Sequence, residues 1–108
     1  MTMKSKKQNG ICKISLAGEL TIYQAGEVYE KLRKQFSSCE CMEIDLHEIT
    51  ELDTAGVQIL LSLKEAANVE SKKISLSLHS EAVIEVFELL NIAHEFGDPI
   101  VLSHNGSA

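Results

Sequence analysis

Residues 51–64 of the chain read ELDTAGVQILLSLK, a short polar start followed by a strongly apolar run. Asp53 has the chemistry of a helix N-cap, because its carboxylate can accept hydrogen bonds from the free backbone N–H groups of residue 55 or 56. Thr54 then lies in the first helical turn, where a phosphate on its hydroxyl is stabilised by the helix dipole and the remaining free N–H groups. The stretch therefore predicts a helix that starts with a modifiable hydroxyl, although Asp-Thr also occurs as a plain helix cap.

Gly56 is unusual inside this predicted helix, because glycine there costs about 1 kcal/mol relative to alanine. That cost indicates a close approach to this position, made either by another backbone or by a partner. If a partner is the reason, Gly56→Ala leaves the domain folded or slightly more stable and lowers binding. A lower melting temperature with unchanged affinity indicates internal packing instead.

Strands and helices alternate along the rest of the chain. Alternating apolar residues predict strands at 11–16, 42–46 and 74–78, and the apolar run that follows Gly97-Asp98-Pro99 predicts a last short strand at 100–102. Helices are predicted after Thr21, from Thr54 to about Asn68, and from Ser80 to a stop at Asn91. This βαβαβαβ order predicts an α/β fold, a single domain with a mixed, mostly parallel sheet. Sites in such folds lie at the carboxyl ends of the strands. The sequence therefore places Thr54 and the segment 19–23 at one edge.

Two features of the predicted helices bear on the core and on partners. Thr21 and Gln24 have the spacing of a capping box, and the stripe that follows them is apolar at Ala25, Val28, Tyr29, Leu32 and Phe36. The helix from Thr54 is apolar over most of its circumference, so it packs on two sides or presents an apolar surface to a partner. Packing in the core is the simpler interpretation of most of it.

The composition fits one globular domain, with 44% hydrophobic and 24% charged residues among 108. The net charge is −6, and the basic residues gather only near the N-terminus, which argues against nucleic acid as a partner. No apolar run approaches the ~20 residues that span a bilayer, and no signal peptide is evident, so a cytoplasmic location is predicted. Residues 1–10 and 104–108 are expected to be flexible tails.

Neither a metal site, a cofactor nor a catalytic centre is expected. The three cysteines are odd in number and lack the usual zinc spacing, so they are interpreted as reduced thiols. The histidines at 47, 79, 94 and 104 are scattered and have no evident nucleophile or metal partner. The chain is therefore not expected to be an enzyme.

The motifs together resemble a STAS domain, the module shared by sulfate transporters and bacterial anti-sigma-factor antagonists. The resemblance covers residues 11–103 and rests on Gly18-Glu19-Leu20, on Asp53-Thr54-Ala55-Gly56 and on the apolar helix Val83–Leu90 that ends at Asn91. It implies that Thr54 is phosphorylated by a serine/threonine kinase and dephosphorylated by a PPM-type phosphatase. Asp53 and Gly56 would support that phosphosite.

Two positions depart from the family pattern. Thr21 stands where the family often has an acid, and Ala55 stands where many antagonists have a second hydroxyl residue. Thr21-Ile22-Tyr23, the Asp53–Gly56 motif and Phe96-Gly97-Asp98-Pro99 are most similar to STAS proteins found with bacterial chemotaxis genes. A chemotaxis signalling protein is therefore one expected partner.

The leading hypothesis is a non-enzymatic signalling module that binds a kinase or an anti-sigma factor and releases it when Thr54 is phosphorylated. The alternative is a constitutive STAS subunit of a lipid-transporting ABC complex, which would use the apolar central helix for permanent docking. Tyr23 is the expected energetic anchor of the partner surface, since aromatic residues are enriched among interface hot spots. The expected partner-binding residues are Glu19, Thr21, Tyr23, Ala55, Val57 and Gln58.

Overall fold

A mixed four-stranded sheet and three helices make up residues 1–77 and 80–90, the part of the chain that the computed structural model describes. The elements are β1 (Thr2–Gln8), β2 (Ile11–Leu20), α1 (Ile22–Phe36), β3 (Cys41–Leu52), α2 (Thr54–Val69), β4 (Lys73–Ser77) and α3 (Glu81–Leu90). The strand order is β1-β2-β3-β4, with β1 antiparallel to β2 and the other pairs parallel. The predicted α/β class with a mostly parallel sheet is confirmed. The predicted strand at 100–102, the stop at Asn91 and the tail 104–108 lie outside the described residues.

The three helices share one hydrophobic core with alternate residues of β2, β3 and β4. The predicted stripe of α1 is buried at Ala25, Val28, Leu32 and Phe36, and Tyr29 packs beside it. The broad apolar circumference of α2 is explained by its position, because this helix contacts α1, β3 and β4. Its buried or partly buried apolar side chains are Val57, Ile59, Leu60, Leu61, Leu63, Ala66 and Ala67.

Residues 1–10 were predicted to be a flexible tail, and the structure corrects this prediction. Thr2–Gln8 is an antiparallel strand paired with β2 from Thr2↔Ala17 to Gln8↔Ile11. Asn9 and Gly10 make the turn with φ of 54° and 80°, as two-residue hairpins require. This strand lies at the sheet edge and needs few apolar residues, so its lysine-rich sequence did not indicate it. Among its side chains, Met3 packs partly against the core.

β3 is longer than the predicted strand at 42–46, because two irregularities interrupt its alternation without ending it. Ser15 pairs with Asp45, but Ala17 pairs with Glu48, so β3 holds one residue more than β2 over this interval. A second extra residue lies between Ile49 and Glu51. Such bulges re-aim the side chains that follow them. The buried residues of β3 accordingly change from every second to every third position, at Leu46, Ile49 and Leu52.

Candidate functional site

The candidate site lies where β2 and β3 end side by side. Leu20 pairs with Leu52 as the last partners of these parallel strands, and the Asp53 N–H donates to the Leu20 carbonyl oxygen at 3.4 Å. The segments 19–23 and 51–56 therefore flank the same edge, as expected from the order of the elements. Glu19 pairs with Glu51 across this edge, and both side chains are exposed.

Asp53 holds the two helix starts together with one carboxylate. Its Oδ1 accepts from the Gly56 N–H at 3.0 Å, which confirms the predicted N-cap of α2. Its Oδ2 accepts from the Ile22 N–H, the first amide of α1, at 2.9 Å. This second bond joins residues 31 positions apart and was not anticipated. The expectation that both loops share an edge is the one sequence signal that pointed towards it.

Thr54 is exposed in the first turn of α2, beside the N-cap carboxylate. Gln58 is also exposed and Ala55 is half-buried, so these residues border the same surface. Val57 is 2% exposed and belongs to the core. Its predicted partner contact is therefore corrected, because its side chain points into the domain.

Thr21 is also buried, with 7% of its surface exposed. It caps the start of α1 instead of facing a partner, so its predicted partner contact is corrected as well. Its hydroxyl and its N–H both donate to Oε1 of Gln24, at 2.7 Å and 3.1 Å. Ile22 and Tyr23 follow with 68% and 90% of their surfaces exposed. Ile22 lies within the segment 19–23 that was expected at this edge, although it was not named among the partner-binding residues. The pair Ile22–Tyr23, named the apolar pair below, makes an exposed apolar feature at the start of α1, where the Ile22 N–H is bonded to Asp53, the residue before Thr54.

Gly56 is buried against the domain's own backbone. A Cβ at this position would lie 2.3 Å from the Leu20 carbonyl oxygen and 2.7 Å from Cδ1 of Leu52. Real Cβ atoms essentially never come so close to other atoms. The close approach inferred from the sequence is therefore internal, and of the two alternatives, another backbone or a partner, the structure supports the first.

Local contacts and burial explain the raised pKa values of two side chains, His47 and Cys39. His47 Nδ1 lies 2.8 Å from Oδ1 of Asp45, and this hydrogen bond raises the pKa of the exposed imidazole. Burial, together with a hydrogen bond to Cys12, raises the pKa of the Cys39 thiol to about 12, so this thiol stays protonated.

Within residues 1–77 and 80–90, no group of three or more His, Cys, Asp or Glu residues is placed to hold a metal ion. None of the described helices has the length and apolar character needed to cross a membrane. The other three histidines lie outside the described residues.

Comparison with protein families identifies the fold. A family model described as "Mlab, STAS domain" matches residues 4–102, so the chain belongs to the STAS domain family. No curated protein matches the sequence.

Solved structures of low sequence identity share this fold. A putative anti-sigma factor antagonist from Thermotoga maritima superposes with a TM-score of 0.76 at 15% identity, over 83% of this chain and 79% of the other. An anti-sigma factor antagonist from Mycobacterium paratuberculosis gives 0.74 at 19% identity, over 98% and 89%. The phosphorylated form of the Bacillus cell fate determinant SpoIIAA gives 0.70 at 14% identity, over 94% and 91%.

Proposed function

We propose that this protein is a non-enzymatic, cytoplasmic signalling module whose binding to a protein partner is switched by reversible phosphorylation of Thr54. The partner is a serine/threonine kinase or an anti-sigma factor, and a PPM-type phosphatase resets the switch. The observation that carries the proposal is the exposed Thr54 hydroxyl at the N-terminus of α2, at the edge where β2 and β3 end. The likeness to anti-sigma factor antagonists, one of them solved in a phosphorylated form, supports it.

The proposed partner surface keeps the exposed and half-exposed residues of the edge. It comprises Glu19, Tyr23, Thr54, Ala55 and Gln58, and it omits the buried Thr21 and Val57. A phosphate adds about −1.5 to −2 charge at pH 7 to a surface that otherwise presents a neutral hydroxyl. Disrupting a tight contact by a few kcal/mol lowers affinity about a hundredfold, at about 1.4 kcal/mol per tenfold. A chemotaxis signalling protein is one candidate for this partner.

The first test compares the proteins that co-purify with the wild type, with Thr54→Glu and with Thr54→Gln. We expect the neutral glutamine variant to retain a kinase or anti-sigma factor that the glutamate variant loses, since the two side chains differ mainly in charge. A kinase recovered in this way, supplied with ATP, should modify Thr54, as mapped by mass spectrometry. Phosphate found on another residue with Thr54 untouched contradicts the proposal. Thr54→Ala serves as the folding control, because an exposed hydroxyl contributes little to stability.

The alternative function, a constitutive subunit of a lipid-transporting ABC complex, is distinguished by the same experiment. The alternative was suggested by the apolar circumference of α2. That surface packs against α1 and the sheet. Recovery of a transporter ATPase with wild type and both Thr54 variants alike would favour this alternative over the switch.

A further inference from the structure

The side chain of Asp53 links the apolar pair to the start of α2. The Ile22 N–H is the first amide of α1, a position that has no acceptor within its own helix. Its acceptor is Oδ2 of Asp53 at 2.9 Å, and Oδ1 of the same carboxylate accepts from the Gly56 N–H at 3.0 Å. The Asp53 carboxylate therefore links the first amide of α1 to the first turn of α2, in addition to the core packing between the two helices.

We propose that Asp53 couples the charge on Thr54 to the position of Ile22 and Tyr23, so that phosphorylation loosens the apolar pair as well as adding charge beside it. This inference rests on the proposed function, because it describes how modification of Thr54 reaches a partner. Asp53 acts here as a positioning residue, and the phosphate acts through it.

The physical reason is competition between two anions for the same donors. A phosphate on Thr54 is drawn to the free N–H groups at the N-terminus of α2, where Asp53 already accepts. Asp53 is adjacent in sequence and carries the same sign of charge, and Glu19 and Glu51 are exposed at the same edge. Displacing or turning the carboxylate removes the acceptor of the Ile22 N–H.

Breaking the hydrogen bond from the Ile22 N–H to Asp53 costs little free energy, so it can break without unfolding α1. Ile22 is 68% exposed, so water can accept from its N–H once the carboxylate turns away. The bonds from Thr21 to Oε1 of Gln24 do not involve Asp53, and they still hold the first turn of α1. The predicted change is therefore confined to the apolar pair.

The partner that fits this arrangement has an apolar pocket for the pair next to a surface that tolerates a neutral hydroxyl. Such a partner meets two obstacles after phosphorylation, a charge at Thr54 and an anchor that has lost the hydrogen bond from its first amide to Asp53. Binding a mobile anchor costs additional ordering entropy. The difference in partner affinity between the unphosphorylated and the phosphorylated protein is therefore larger than the added charge alone produces.

The test is amide hydrogen exchange of the full chain, measured by NMR without any partner. We expect the Ile22 amide to exchange about tenfold faster in Thr54→Glu than in Thr54→Gln, since a hydrogen bond to a charged group contributes about this much. The amides of the α1 interior should be unchanged. Equal exchange at Ile22 in the two variants overturns the coupling.

Asp53→Asn tests whether the charge at Thr54 affects Ile22 through the Asp53 carboxylate. Asparagine is a good N-cap, so its one oxygen keeps Gly56 protected while its NH₂ group cannot accept from Ile22. In this background Thr54→Glu should have no further effect on Ile22, because the coupled side chain is gone. Glu51→Ala is the matched control for removing an acid at the same edge, and it should leave Ile22 protected. A further acceleration in the double variant contradicts the proposal.

These outcomes separate the coupling from the proposed function. Equal Ile22 exchange in both Thr54 variants, with the partner still lost from Thr54→Glu, leaves the switch intact and removes the coupling. Faster exchange in a protein that no kinase modifies at Thr54 removes the switch and leaves the coupling as a property of the fold.

Discussion

Gly56 brings α2, the helix that starts at Thr54, close to the neighbouring strand β2. Its backbone lies so close to Leu20 that a methyl group would sit 2.3 Å from the carbonyl oxygen of that residue. This carbonyl is at the end of β2 and also accepts from the Asp53 N–H, so it has little freedom to move. The glycine therefore sets how closely α2 approaches β2.

We expect Gly56→Ala to lower the free energy of unfolding, as measured by urea denaturation. Forcing a methyl group into a packed site costs about 1–3 kcal/mol, and the better helix propensity of alanine offsets only about 1 kcal/mol. Gly26→Ala is the matched control, because a Cβ there meets nothing within 4 Å in the exposed face of α1. That variant should be more stable by about 0.5–1 kcal/mol. If Gly56→Ala is as stable as the wild type or more so, the packing explanation is wrong.

Tyr23 is the residue from which we expect the largest single contribution to partner affinity. Its side chain is 90% exposed, which removes the alternative of a half-buried residue beside the helix cap. Tyr23→Ala should lower affinity for the co-purified partner about tenfold or more, measured by calorimetry, while the unfolding midpoint changes little. Glu30→Ala, at another exposed position of α1, is the control. Unaltered affinity in folded Tyr23→Ala would remove the segment 19–23 from the partner surface.

Among the elements, those with a buried and an exposed face were predictable from the sequence. The stripe of α1, the alternation of β2 and β4, and the acidic N-cap of α2 each report a local relation between neighbouring positions. The extent of β3 was not predictable in the same way, because its bulges are defined by the register against β2. Only the spacing of Leu46, Ile49 and Leu52 hinted that the chain continued to be buried.

The hairpin of β1 and β2 had a signal in its turn, Asn9-Gly10, which is the preferred dipeptide of two-residue β-hairpins. The lysines of β1 outweighed that signal, because a strand at a sheet edge can be stable with a mostly polar sequence. Lysine on an edge strand also discourages pairing with other chains. The polar composition of β1 is thus a property of its place in the sheet.

For the molecule as a whole, the sequence located the candidate edge and the N-cap of α2, but not the contacts between the two segments that meet there. The order of strands and helices was enough to bring the segments 19–23 and 51–56 together. The bond between Asp53 and Ile22, the burial of Thr21 and Val57, and the internal role of Gly56 depend on distances between segments about 30 positions apart. Periodicity within one segment carries no information on such distances.

The face of the sheet opposite the helices is polar, and it is separate from the Thr54 edge. A shallow groove of about 510 Å³ lies there, and its lining includes none of the proposed partner-binding residues. Its polar lining residues are Lys4, Ser5, Lys6, Lys13, Ser15, Glu43, Asp45, Ser75 and Ser77. Parallel sheets usually have both faces covered by helices, and none of the helices within residues 1–77 and 80–90 covers this face, which its polar residues make compatible with water.

The pairing of β1 with β2 also has a consequence for self-assembly. Removal of residues 1–10 takes away the strand that pairs with Ile11–Ala17 of β2 and so exposes the N–H and C=O groups that it bonded, which form a template for other strands. We expect the shortened chain to form larger particles than the full chain at the same concentration, as measured by sedimentation velocity. The control replaces Lys4, Lys6 and Lys7 with glutamine, which removes the same charges but retains the strand.

Equal sedimentation of the full and shortened chains would show that the β2 edge is protected by something other than β1. Association of the glutamine variant would instead assign the protection to charge. In the expected case, a single proteolytic cut at the Asn9-Gly10 turn that releases β1 is enough to convert a self-limiting sheet into a seed for polymer growth.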